Sequence, residues 1–347
     1  MKKKSYTATL AGVILFVMLF VFSEQFMQGI SSGLMTCVKI VIPSLFPFMI
    51  AASLAGNGAM PKPLKLICEP VTQFLFRLPA ESLPSIMLGQ LGGYISGAKS
   101  ADALYSNGVL TKSEANRLLL FSVNAGMGFS VNAVGNALLG SREAGKVLLA
   151  ALCVSSLIIG IISRFLSDDD SKSKSITEKN NIMFSSAVVN SVSSGAYAML
   201  AACAFVTLFS GLCAITDEYI KNETVKTIIS CLLEVTKGCI DIAEKASLPV
   251  IAAVCAFGGI CVHMQIFSLS QSLDLKLTKF YAFRMLHSIL AYASCKIILH
   301  FHPVEQQVFL SFSENAAAVS FSVPSAISLL FLCALLILDL DNGKKIC

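Results

Sequence analysis

Charge is what this sequence has least of. Only 14% of its 347 residues are Asp, Glu, Lys or Arg, while 55% are hydrophobic; an ordinary soluble domain carries about 25% charged residues. With a mean hydropathy of +0.74, a water-soluble fold of this length would expose far more contiguous apolar surface than monomers tolerate. No sustained basic stripe is present, and the net charge is a dispersed +5, which excludes a nucleic-acid footprint. Apolar residues run short only around Ser167 to Asn181, which excludes a disordered chain. Catalytic and metal signatures are missing too: there is no His-Glu-x-x-His, no Ser elbow and no Cys-x-x-Cys. Gly92-x-x-x-x-Gly97-Ala98-Lys99-Ser100 falls one residue out of P-loop spacing. The 12 cysteines lie mostly inside apolar runs, as Cys37, Cys153, Cys203, Cys255, Cys295 and Cys333 do, where they act as small hydrophobes with reduced thiols. An enzyme, a resident cofactor and a metal therefore have no anchor here.

What remains is an all-α polytopic membrane protein. Lys2-Lys3-Lys4 and the apolar run from Ala8 to Phe22 are not followed by a small-x-small cleavage site, so residues 1–27 read as an uncleaved transmembrane anchor with its lysines inside. Runs long enough to cross lie at Leu34–Ala55, Ala144–Leu166, Phe184–Ile215 and Asn315–Leu338. Weaker stretches at Leu83–Ala98, Leu118–Leu139, Leu248–Met264 and Phe280–Leu299 are interrupted by Gly, Pro or polar residues. Non-helical backbone at membrane depth survives only where protein or a water-filled cavity satisfies it, so these weak segments point to a pathway. Lys344 and Lys345 place the carboxyl terminus inside, and two inside termini give, most simply, eight crossings with broken or re-entrant segments.

The expected organisation is an anchor (1–27), a first repeat (28–166), a charged linker (167–182) and a second repeat with a C-terminal helix (183–347). The repeat rests on ordered matches. Ser82-Leu83-Pro84, Gly92-Gly93 and Leu110-Thr111-Lys112 with Arg117 recur as Ser247-Leu248-Pro249, Gly258-Gly259 and Leu277-Thr278-Lys279 with Arg284. Ser31-Ser32-Gly33 is likewise echoed by Ser193-Ser194-Gly195. Duplicated halves with interrupted segments in matching places are the sequence pointer to a secondary transporter with its site between the repeats; Gly pairs also serve plain helix packing. Between Lys221 and Lys245, apolar residues at helical spacing oppose a stripe of Glu234, Lys237, Asp241 and Lys245. This pattern fits an interfacial helix with an ion-pair ladder, or a helix whose Glu234 faces a cavity.

Candidate site residues follow from chemistry. Asn124 and Asn132, among Gly126, Gly128 and Gly135, offer amides and unwound backbone to a polar ligand. Arg117 and Arg284 present guanidinium forks suited to a dicarboxylate, or snorkel at a membrane edge. Lys99 and Gln265 follow the glycine turns Gly92-Gly93 and Gly258-Gly259, Lys99 as an anion contact, and His263 is a proton-coupled neighbour or a packing residue.

The run Ile42-Pro43-Ser44-Leu45-Phe46-Pro47-Phe48, the segment Gly93-Tyr94-Ile95-Ser96-Gly97-Ala98-Lys99, the Leu-Thr-Lys block with Glu114, Ala115 and Arg117, and Phe257-Gly258-Gly259 with His263-Met264-Gln265 together resemble the sporulation integral membrane protein family YlbJ. That family, also called SpoVV, carries the nucleoside-recognition or Gate domain. The resemblance implies a carrier of dipicolinate, a small-molecule anion, across the mother-cell-derived outer forespore membrane, with the lipid bilayer and other sporulation membrane proteins as surroundings and no nucleic acid. Alternatives are a Gate carrier of nucleosides or metal ions, and a non-transporting scaffold of spore assembly.

Overall fold

The computed structural model describes residues 6–57, 62–166 and 184–304. Helices make up its regular structure, with no strand among the described residues. Four helices there are long and apolar enough to cross a membrane: Arg142–Ser163, Phe184–Tyr219, Leu248–Leu269 and Leu277–Phe301. A fifth is reached if Thr9–Val21 and Ser23–Val41 form one span, although 99° separates their axes. The expected eight crossings are not seen among these residues, and the anchor is a helix turned sharply against its successor. The charged linker and the Asn315–Leu338 span lie outside the described residues.

After α1 (Tyr6–Val21), one long curved rod is built from α2 (Ser23–Thr36), the wide-turn segment π1 (Cys37–Val41) and α3 (Ile42–Asn57). Pro43 and Pro47 lack the amide that would continue the helical hydrogen bonding, yet they do not break this span. Instead, the loosening is confined to π1, directly before Pro43, and Pro47 sits within helical α3, because a π-bulge absorbs the missing amide without opening the helix. The rod packs along α9 (Phe184–Tyr219). Phe22 stacks edge-on with Tyr219 at 4.8 Å, Gly33 meets Thr207 and Ser210, Cys37 meets Cys203, and Gly195 meets Phe46 and Ile50. As one helix rises the other descends, so they are antiparallel. Contact is backbone to backbone, since a Cβ at Gly29 would lie 2.7 Å from the Gly211 Cα, the small-residue packing of membrane helices.

The same order of elements then occurs twice. The amphipathic helix α4 (Lys62–Phe76) precedes α5 (Ser82–Gly92) and α6 (Tyr94–Ser106). Along a straight helix Gly89 and Gly97 would be about 12 Å apart at roughly 1.5 Å per residue. Here a Cβ on Gly97 would touch the Gly89 Cα at 3.3 Å, so α5 and α6 fold back on each other around Gly93, whose φ of 100° and ψ of 177° suit only glycine. Next comes a broken helix, α7 (Lys112–Ser122), residues 123–127 and the wide-turn segment π2 (Gly128–Leu138), followed by the long α8 (Arg142–Ser163). In the second half, α10 (Glu223–Leu233) and α11 (Val235–Ile242) form a hairpin around Glu234: a Cβ on Gly238 would sit 2.6 Å from the Cys231 Cα. A broken helix follows, α12 (Leu248–Phe257) and α13 (Gly259–Leu269), and then the long α14 (Leu277–Phe301).

The matched sequence blocks do different things in the fold. Gly92-Gly93 turns a hairpin, whereas Gly258-Gly259, with φ of 88° and 74°, kinks a span that continues from Leu248 to Leu269. Thr111 is the N-cap of α7, with a capping box to Glu114, but Thr278 lies inside α14, whose N-cap is Lys276. The second hairpin turns at Glu234, and the first broken helix is interrupted at 123–127.

Candidate functional site

The two hairpin turns and the two breaks meet. A Cβ on Gly126 would lie 2.6 Å from the Leu91 carbonyl oxygen and 2.7 Å from the Gly92 carbonyl carbon, so the first turn sits on the first break. A Cβ on Gly259 would lie 3.2 Å from the Leu233 oxygen and 3.3 Å from the Val235 nitrogen, so the second turn sits on the second break. Tyr94, just past the first turn, packs on Gly258 and donates its hydroxyl hydrogen bond to the Cys255 carbonyl. Each half thus touches the other at its interruption.

A cavity opens at this junction. Its walls are Gly93, Tyr94 and Ile95 from the first hairpin, Gly126 and Phe129 from the first broken helix, and Glu234, Val235 and Thr236 from the second hairpin. Val262 and Gln265 come from α13, and π1 closes one side through Ile40 and Val41. The free volume, as swept by the centre of a water-sized sphere, is about 40 Å³, against roughly 10–15 Å³ for one water on that measure.

Its polar groups are few. Glu234 is 2% exposed, and its two carboxylate oxygens accept from the amides of Thr236 at 3.1 Å and Lys237 at 2.7 Å, capping α11. The Lys237 ammonium is shared between Asp217 at 3.2 Å and Asp241 at 2.5 Å. Gln265 spends its amide N–H on the Cys261 sulfur at 3.2 Å, a weak acceptor. On the opposite wall the N-cap of α6 is Gly93, which has no side chain to cap the helix, so the positive end of the α6 dipole faces the cavity. Lys99 lies one turn beyond the cavity-lining Ile95 on the same face of α6, with its buried Nζ lacking a hydrogen-bond partner among the described residues.

The remaining candidates stand behind these walls. Asn124 is buried beside Gly126. Its Nδ2 donates to Gln90 Oε1 at 2.7 Å, Gln90 Nε2 donates to the Phe121 carbonyl at 2.9 Å, and Ser156 Oγ donates to Gln90 Oε1 at 2.8 Å. This network ties α5, the first break and α8 together. Gln90 went unnoticed in the sequence because a lone amide in an apolar helix carries no spacing signal. Asn132 is exposed on π2, away from the cavity. Gly92 serves close packing, since a Cβ there would meet Phe48 at 2.8 Å.

The two arginines do not form a clamp around the cavity. Arg117 donates to the carbonyls of Phe76 at 2.9 Å and Arg77 at 2.8 Å, and Arg284 to those of Val123 at 2.8 Å and Leu120 at 2.5 Å. Each caps the carboxyl end of a helix, α4 and α7 respectively, where free carbonyls and the helix dipole attract a cation. His263 is also spent structurally. Its Nε2 bonds the Phe257 carbonyl at 2.8 Å, and its ring packs edge-on against Phe257, Phe280 and Tyr281. No group of three or more His, Cys, Asp or Glu side chains fit to hold a metal occurs among the described residues.

Comparison with known proteins agrees with the resemblance read from the motifs. The chain is 21% identical over 371 aligned positions to the sporulation integral membrane protein YlbJ of Bacillus subtilis (strain 168), covering 92% of this chain and 90% of that one. The similarity supports the YlbJ family and, with the apolar helices, an integral membrane protein. No family model matches, and no solved structure matches.

Proposed function

We propose that this chain is a membrane transporter of a small organic anion, with dipicolinate moved across the outer forespore membrane as the cargo its similarity to YlbJ implies. The observation that carries the reading is the meeting of two hairpin turns and two helix breaks around one cavity, because interrupted helices near the midplane are how transporters bare backbone groups to a solute. The pairing of the long helices adds support. The rod α2–π1–α3 and α9 occupy corresponding places before the two hairpins and run antiparallel, as expected of halves related by a two-fold axis in the membrane plane, an inverted repeat. The anion would be held by the N-terminal end of α6 and by the unpaired ammonium of Lys99, and the cavity must widen to admit a ring bearing two carboxylates.

A second reading draws on Glu234, a carboxylate in the cavity wall that suits an uncharged cargo with hydroxyl donors, such as a nucleoside. Thermal unfolding of the purified protein separates the two, because a ligand that binds only the folded state raises the melting temperature. Stabilisation by dipicolinate, lost in Lys99→Gln, is the expected result. Stabilisation by uridine alone, kept in Lys99→Gln, would replace the anion reading with the nucleoside one.

A further inference from the structure

We infer that Glu234 is the proton-binding group of the transport cycle, so that an anion enters the cavity only together with a proton that neutralises this carboxylate. The inference rests on the transporter reading above. Glu234 lines the cavity at the turn of a hairpin. Its carboxylate is met by two backbone amides of α11. The nearby cation is Lys237, and its ammonium is already shared by Asp241 on α11 and Asp217 on α9. Tyr94 is the other titratable side chain in the cavity lining, and its phenol is never a cation. His263 on α13 turns into its aromatic cage instead.

An anion held by the N-terminal end of α6 and by Lys99 would still meet like charge from an ionised Glu234 in a site of low dielectric, where such repulsion is least screened. Protonation removes it in exchange for one of the two amide hydrogen bonds that Glu234 accepts. The O–H bond forms on one carboxylate oxygen with a proton from water on the side where the anion enters. The carbonyl oxygen still accepts an amide of α11, and the proton returns to water on the far side when the anion leaves. The anion and the proton move in the same direction, and nothing is oxidised or reduced.

The test uses the purified full-length chain in weakly buffered detergent with a pH-indicator dye. On adding dipicolinate, wild type is expected to take up about one proton for each anion bound, and Glu234→Gln, whose amide oxygen preserves a cap, to bind at least as tightly with no uptake. Anion binding without proton uptake in wild type, or equal uptake in Glu234→Gln, overturns the inference. Should that variant fail to fold, wild type alone decides. Its dissociation constant must rise about tenfold per pH unit wherever free Glu234 is ionised and the cargo's carboxylates stay charged, and a dissociation constant that does not depend on pH overturns the coupling. Absence of dipicolinate binding by well-folded wild type contradicts the transporter reading itself, a result distinct from binding without protons.

Discussion

Tyr94 and Cys255, 161 residues apart, are joined by a hydrogen bond from the tyrosine hydroxyl to the cysteine carbonyl. The donor follows the turn of the first hairpin, and the acceptor lies three residues before the kink in the second broken helix. Tyr94→Phe removes the hydroxyl, keeps the ring against Gly258, and is expected to cost about 1 kcal/mol. A lowered melting temperature with unchanged oligomeric state in detergent checks this; an unchanged one would show that the halves are held together elsewhere.

Gly93 is required chiefly by its backbone conformation, with a smaller steric penalty that a shift of the Leu45 side chain relieves. Its backbone conformation costs a residue with a Cβ about 1–3 kcal/mol, and that Cβ would sit 2.9 Å from Leu45 Cδ2. Gly93→Ala is therefore expected to lower the melting temperature sharply. Gly12→Ala, where a Cβ meets nothing within 4 Å, should leave it unchanged or slightly higher. Equal behaviour of the two in a thermal-unfolding series would refute the hairpin turn.

The cations of the two halves should separate by phenotype. In Arg284→Gln the shorter amide cannot reach both Leu120 and Val123, and with charge-assisted bonds worth about 1.5–3 kcal/mol each, the expected result is loss of thermal stability. Lys99→Gln removes an ammonium with no protein partner, so stability should hold or rise while dipicolinate binding weakens by tenfold or more. Circular dichroism melts read beside binding titrations would show this crossing; matching losses in both variants would not fit.

Much of this was legible in the sequence. Scarce charge and long apolar runs specify helices in a membrane, and glycines and polar residues inside those runs marked the places where helices break. What a break does was not legible. Gly92-Gly93 and Gly258-Gly259 look alike as sequence, yet one reverses the chain and the other bends it, because the outcome depends on whether flanking helices find each other, as Gly89 and Gly97 do. Ser-Leu-Pro and Leu-Thr-Lys both stand at helix starts, chemistry that any helical chain reuses, so their recurrence does not by itself say how the helices they open will pack. Arg117 and Arg284 suited a dicarboxylate by type, but in the fold both terminal nitrogens of each guanidinium donate to backbone carbonyls. Glu234 sat within an amphipathic pattern that also fitted an interfacial helix. Only the turn between α10 and α11 carries it to the cavity, while its ladder partners Lys237 and Asp241 do pair, at 2.5 Å.

Uptake of labelled dipicolinate by liposomes containing the purified chain tests the central claim most directly. The account predicts saturable uptake above that of empty liposomes, faster when the outside is more acidic than the inside, and strongly reduced in Lys99→Gln. Uptake no greater than that of empty liposomes, by protein shown to be folded and inserted, would contradict it.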